Sequence, residues 1–190
     1  MKKVIQITMI LAIAALSYFL YESIAKPIRF AEEKARRYEQ VIQRLKDIRT
    51  AQIVYKDVYG NFTASFDTLI KFIKNDSLPL IRAIGEVPDT LTEAKAVELG
   101  LVIRDTIRIN VYDSLIRMED VALGKKYALD SIRFVPFTSS EFQMAIGEIE
   151  TGSKVKVKVF EVFDTAPFDP EDVMQVGSLV EATNHAGNWE

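Results

Sequence analysis

From Val4 to Tyr21 the chain is apolar at almost every position, whereas from Arg29 to Val58 it is apolar only at helical intervals. The first stretch is 18 residues long and carries no charge, with Gln6, Thr8 and Ser17 as its polar interruptions. As a helix rising ~1.5 Å per residue it spans about 27 Å, close to the hydrocarbon thickness of a bilayer. A helix satisfies its own backbone in lipid, so the pattern predicts a membrane-spanning segment. Lys2 and Lys3 in front and Ser23-Ile24-Ala25 behind also fit a cleaved signal peptide. The run exceeds the ~7–15 apolar residues usual in such a signal. Tyr18, Phe19 and Tyr21 stand where interfacial aromatics would hold a retained span. A retained anchor over residues 1–28 is the expectation.

The second stretch predicts a spine helix over 29–58. Tyr38, Leu45 and Gln52 share one heptad position, and Val41, Ile48 and Tyr55 share the other. Ile42, Ala51, Val54 and Val58 widen this seam into a stripe suited to packing on a sheet rather than on one partner helix. The stripe residues Tyr38, Val41, Leu45, Ile48 and Tyr55 are therefore candidates for packing or self-assembly. Pro27 lacks a backbone donor and crowds the preceding turn, which predicts a kink just outside the membrane.

Gly60 stops the spine helix. Ser65 caps a short helix over 66–74, with Leu69, Ile70, Phe72 and Ile73 on its apolar side. Asn75-Asp76-Ser77 and Pro79 close it. A further helix is expected over 92–99, capped by Thr92 and stopped at Gly100. The period then shifts towards two. Strands are expected within 103–163: Thr106 to Tyr112, Ser131 to Phe137, Glu141 to Glu150 and Lys154 to Phe163. Thr151-Gly152-Ser153 makes a hairpin turn between the last two. The last strand changes its apolar face near Phe160, which predicts a bulge. Residues 167–190 lack periodicity and read as an extended C-terminal tail. The fold class is α+β: a membrane helix continuing into a kinked spine, a soluble domain over 29–166 with a small antiparallel sheet, and the tail.

Composition narrows the function more than it names it. About 165 residues beyond the anchor are enough for one domain with a real core. The net charge of −3, from 27 acidic against 24 basic residues, disfavours nucleic acid as a main partner. Cysteine is absent, which excludes disulfides and thiol chemistry.

The residues Ile48-Arg49-Thr50-Ala51-Gln52-Ile53-Val54-Tyr55, then Tyr59-Gly60-Asn61-Phe62, then Phe66-Asp67-Thr68-Leu69 carry a family likeness. With the order of membrane helix, outer proline, amphipathic continuation and antiparallel sheet, the first third of the chain resembles type II secretion pseudopilins and type IV pilin-like proteins. The resemblance implies a structural subunit of an envelope assembly. The processing site of that family is absent, as is its buried glutamate: no acidic residue precedes Glu22. The likeness therefore implies a permanently anchored subunit rather than a processed pilin.

Catalytic signals are sparse. His185 is the only histidine, and it sits in a polar tail where it reads as solvated. Zinc-type ligation lacks cysteine and histidine ligands. Asp164, Asp169, Glu171 and Asp172 gather around Pro167 and Pro170, a group with the oxygen ligands calcium takes but no known loop spacing, so a solvated acidic turn is expected. The glycines form no phosphate cradle. Asn61-Phe62-Thr63 matches a glycosylation sequon formally and reads as turn chemistry. Lys154, Lys156 and Lys158 line one strand face as guards against edge pairing. Trp189, the only tryptophan, is a candidate anchor for a partner pocket, with docking onto its own domain as the equal alternative.

These observations predict a non-enzymatic, single-pass membrane protein with no cofactor, metal or evident small-molecule substrate. Its expected partners are the lipid bilayer and other copies or other envelope proteins. The expected location is a bacterial inner membrane with the C-terminal domain in the periplasm, although Lys26, Arg29, Lys34, Arg36 and Arg37 would favour the cytoplasmic side by the positive-inside rule. A monomeric adaptor module is the alternative, and a carboxylate-dependent hydrolase the third.

Overall fold

The computed structural model describes residues 1–84, 95, 103–112, 129–152 and 154–190. Of the helix expected over 92–99, Lys95 is described and is helical; the rest lies outside the described residues.

One helix, α1 (Lys2–Tyr59), contains both apolar stretches and runs on through Pro27. Its 58 residues correspond to about 87 Å. Tyr38, Val41, Leu45, Ile48, Ala51 and Gln52 are buried, one face of the C-terminal half. Gly60 ends the helix in the left-handed region at φ 75°, and its N–H donates to the Lys56 carbonyl at 2.7 Å. That conformation costs glycine nothing and a side-chain-bearing residue ~1–2 kcal/mol.

Helix α2 (Phe66–Asn75) starts where Ser65 Oγ accepts the Thr68 N–H, and it buries Leu69, Ile70, Phe72 and Ile73. Strand β1 (Ser77–Ile84) follows and pairs antiparallel with β2 (Ile103–Asn110). The sequence predicts no strand at β1, because Asp76-Ser77 and Pro79 look like a helix stop. In this two-stranded sheet the proline stands opposite Arg108, in a strand with one partner among the described residues. Strand β2 starts at Ile103 rather than 106 and stops before Val111 and Tyr112, which open a helical turn. The buried Val111 donates its N–H to the Asp76 carbonyl.

A second sheet has the order β3 (Gln143–Glu150), β4 (Lys156–Phe163), β5 (Gln175–Gly177), all antiparallel. Two expectations need correction here. Ser131 to Phe137 is not a strand: a 3-10 turn occupies Leu129–Ser131, and the buried Ile132 and Val135 are three residues apart, a turn-like rather than an alternating spacing. Phe137 itself has φ 66°. Strand β4 has no bulge, since β3 and β4 pair residue for residue from Gln143–Phe163 to Glu150–Lys156. Its neighbours Val159 and Phe160 are both buried because it is covered on both faces. Leu179 reaches to 3.2 Å from the point where a Cβ on Gly147 would stand, beside Val159.

The segment 167–190 is also more than a tail. It supplies β5, buries Met174 and Val176, and bridges Val176 to Gly187. Gly177 has φ 74°, and a Cβ there would lie 2.1 Å from the Phe160 carbonyl oxygen, so only glycine fits. The core joins the α1 stripe to α2, Phe142, Phe160, Val162, Met174 and Val176.

Candidate functional site: the exposed helix and its clasp

Among the described residues α1 is the helix long and apolar enough to cross a membrane, and none of its most apolar window is buried within the protein. Val4, Ile7, Leu11, Leu16 and Phe19 each expose more than half of their surface. Side chains this apolar on every face are unfavourable in water, at roughly 25 cal/mol per Å2 of apolar surface, and suit lipid. The structure thus has a candidate N-terminal transmembrane helix joined without interruption to an α+β domain.

The join is built from charge and aromatic pairs. Glu22 binds Lys26 at 3.9 Å and Arg29 at 3.2 Å on the surface of α1. Phe30 stacks on Phe168 with ring centres 5.1 Å apart, tying α1 to the C-terminal segment. Arg37 packs over Phe168 at 4.6 Å and Phe137 at 5.5 Å while its Nε pairs with Glu33 at 2.7 Å. Lys34 Nζ binds Asp169 at 2.6 Å and Asp172 at 2.8 Å. The Tyr38 hydroxyl donates to the Asp172 carbonyl at 2.7 Å and accepts the Asp169 N–H at 3.3 Å.

The acidic turn therefore clasps the helix instead of standing free in solvent, which corrects the reading of Asp169 and Asp172. Lys34, and then the Glu171 N–H, hold the Asp169 carboxyl below its ordinary range. The two carboxylates in turn hold the Lys34 ammonium above its ordinary value. Asp164 is buried; desolvation pushes its carboxyl up, against the opposing effect of the Ala166 N–H at 2.8 Å. Among the described residues no group of His, Cys, Asp and Glu is arranged to hold a metal.

Above the clasp, the stripe is spent inside the domain. Leu45 and Ile48 are fully buried, Val41 and Tyr38 nearly so, and Tyr55 lies edge-on to Phe72 at 5.1 Å. Gln52, the polar member of the heptad, is also fully buried. Its Nε2 donates to the Thr63 carbonyl at 2.6 Å and its Oε1 accepts the Thr63 N–H at 3.1 Å. A buried amide with both ends paired fixes the loop after Gly60 against the helix.

The C-terminus returns to α1 at a second point. Arg49 pairs with Glu190 at 2.6 Å. Trp189 packs against the core over Gly187, where a Cβ would meet the indole at 2.3 Å. The tryptophan is thus packed, half-buried, on its own domain, one of the two readings its sequence allows. His185 is half-buried rather than free in solvent: its ring stacks on Phe160 and meets Phe62 edge-on, each at 5.1 Å. Burial, then Lys56 and Arg49, lower its pKa. It borders an open cleft of about 210 Å3 with Lys56, Val159 and Thr183, smaller than the ~300–1,000 Å3 of typical ligand pockets. Lys156 and Lys158 stay exposed at the end of β4, where Lys158 Nζ donates to the Gly60 carbonyl at 2.8 Å, and Lys154 falls in the turn.

No protein-family model, curated protein or solved structure matches this chain.

Proposed function

We propose that this protein is a non-enzymatic, single-pass structural subunit of pilin-like shape in a bacterial inner membrane, with its domain in the periplasm. The observation that carries the reading is the form of α1: among the described residues nothing buries its apolar N-terminal half, while its C-terminal half is the spine of the domain's core. That form supports the resemblance of the first third of the chain to pseudopilins. Because the Tyr38–Tyr55 stripe is already covered, contact between copies falls to the exposed half between Val4 and Ile28. In this reading Pro27 bends the helix where it leaves the lipid.

A second reading, a monomeric membrane-anchored adaptor, draws support from that same covered stripe, since a helix whose stripe is satisfied needs no second copy. Amine-reactive cross-linking of native membranes followed by immunoblotting separates the two. A regular ladder of multiples of the chain is the outcome expected for the subunit. One heavier species containing a different protein, or a persistent monomer, contradicts it. Orientation is read separately from Asn61→Cys, an exposed position in a chain without other thiols: an impermeant reagent added to cells with a permeabilised outer membrane labels it if the domain is periplasmic.

A further inference from the structure

Of the 12 aspartates in the chain, seven are followed by serine or threonine and then by Leu, Ile or Ala. They stand at Asp67-Thr68-Leu69, Asp76-Ser77-Leu78, Asp89-Thr90-Leu91, Asp105-Thr106-Ile107, Asp113-Ser114-Leu115, Asp130-Ser131-Ile132 and Asp164-Thr165-Ala166. With 21 serines and threonines in 190 residues, chance would place one after about one of the 12. The 15 glutamates supply an internal control, and only Glu22 and Glu150 are followed by a hydroxyl residue. The bias belongs to aspartate and not to acidity in general.

No single structural demand accounts for the five described copies. Thr68 is in the first turn of α2, Ser77 opens β1, Thr106 lies inside β2, Ser131 ends a 3-10 turn and Thr165 follows β4. The aspartates are used differently too: Asp67 pairs with Arg133, Asp76 accepts the Tyr59 hydroxyl, Asp130 pairs with Lys74, and Asp164 accepts the Ala166 N–H. A tripeptide repeated across helix, strand and loop is one read as sequence by something outside the fold. Every copy carries two oxygen nucleophiles: the carboxylate, which Asp67, Asp76, Asp130 and Asp164 each commit to a partner within the fold, and the hydroxyl, the one that forms stable O-linked adducts.

We propose that this chain is O-glycosylated within these tripeptides, with Thr68 and Ser77, both exposed, as the principal sites. Thr165 is committed, its hydroxyl donating to the Glu141 carbonyl at 2.7 Å, and Ser131 is half-buried. In the transfer, Thr68 Oγ1 forms a bond to the anomeric carbon of a saccharide activated as a lipid- or nucleotide-linked diphosphate. The bond from that carbon to the phosphate oxygen breaks with its electron pair leaving on the phosphate, and the hydroxyl proton passes to a base of the transferring enzyme. A neutral sugar suits these sites better than a phosphate, which would set a second anion beside each aspartate. The choice of a sugar also rests on the periplasmic placement proposed above.

The test is the intact mass of the full chain purified from its own membranes, with peptide-level mass spectrometry to locate any addition. The expected mass exceeds the 21.5 kDa of the bare chain by saccharide steps. One step is lost in Thr68→Ala and one in Ser77→Ala, and the Thr68 step is retained in Thr68→Ser. Asp67→Asn lowers occupancy at Thr68 several-fold. A bare mass, an addition located outside the tripeptides, or one removed by phosphatase overturns the proposal. A bare mass together with outward labelling of Asn61→Cys overturns the glycan alone and leaves the placement standing.

Discussion

The two halves of α1 are both rich in apolar residues, yet one is bare and the other buried. Between Val4 and Tyr21 the apolar residues cover every face, and among the described residues nothing buries them. Between Tyr38 and Tyr55 they recur on one face, and that face is the core of the domain. A helix sheathed all round needs an apolar solvent, whereas a helix with one stripe needs one packed neighbour. The residues separating them, from Glu22 to Arg37, carry the charges that would hold the boundary: Glu22 with Arg29 below, Lys34 with Asp169 and Asp172 above.

The comparison breaks most sharply at matched leucines. Leu45 is fully buried, and Leu45→Ala is expected to cost ~2–5 kcal/mol through lost burial and a cavity. Leu11 is 65% exposed, and Leu11→Ala should leave thermal unfolding of the detergent-solubilised domain unchanged. Equal losses would mean that both halves pack within the protein. Leu11→Arg should act in the opposite compartment, opposing insertion by ~2.5–3.5 kcal/mol. Its readout is the fraction of chain resisting carbonate extraction of membranes; full resistance with unchanged expression would argue against lipid around Leu11.

Smaller changes sharpen the buried half. Gln52→Ala strands the Thr63 N–H and carbonyl, with an expected loss of ~1–3 kcal/mol in denaturant unfolding. A Gln52→Ala domain as stable as the parent would show that the clasped amide contributes nothing net. The smallest effect is a pH dependence at His185. Its folded pKa lies below the unfolded value, so the unfolded chain takes up the proton more readily. The contribution of the neutral ring is complete above the ordinary histidine value and is lost as pH falls through the folded one. Stability should therefore decline from neutral towards mildly acidic pH, and His185→Phe should flatten that part of the curve. An unchanged slope would place the titration elsewhere.

Much of α1 was legible because its signals are local. The unbroken apolar run, the stripe from Tyr38 to Tyr55, Gly60 as a left-handed stop and Ser65 as a cap each depend on residues within a turn or two. Elements whose signals are short or ambiguous were not legible. Strand β1 was hidden by Pro79, which is tolerated with one neighbouring strand, and β5 is three residues long, too short to show alternation. Ser131 to Phe137 mimicked a strand through Ile132 and Phe134, while burial selected Ile132 and Val135 instead. The clasp joins Lys34 to Asp169 across 135 positions, and nothing in either neighbourhood names the other. His185 looked free, and Trp189 stayed open between a partner pocket and its own domain, for the same reason: their partners, Phe62 and Phe160 for one, Gly187 and the core for the other, become neighbours only once β5 has brought the C-terminal segment back onto the domain.

The account stands on the claim that one continuous helix passes from lipid into a protein core. Single cysteines placed in turn along α1 from Val4 to Tyr55, each spin-labelled in reconstituted vesicles, measure this directly through oxygen and water-soluble nickel accessibility. The expected profile is uniformly high oxygen and low nickel access through Tyr21, then protection recurring every three to four residues from Tyr38, strongest at the fully buried Leu45 and Ile48. Nickel access that rises and falls with the helical period between Val4 and Tyr21 would contradict the account.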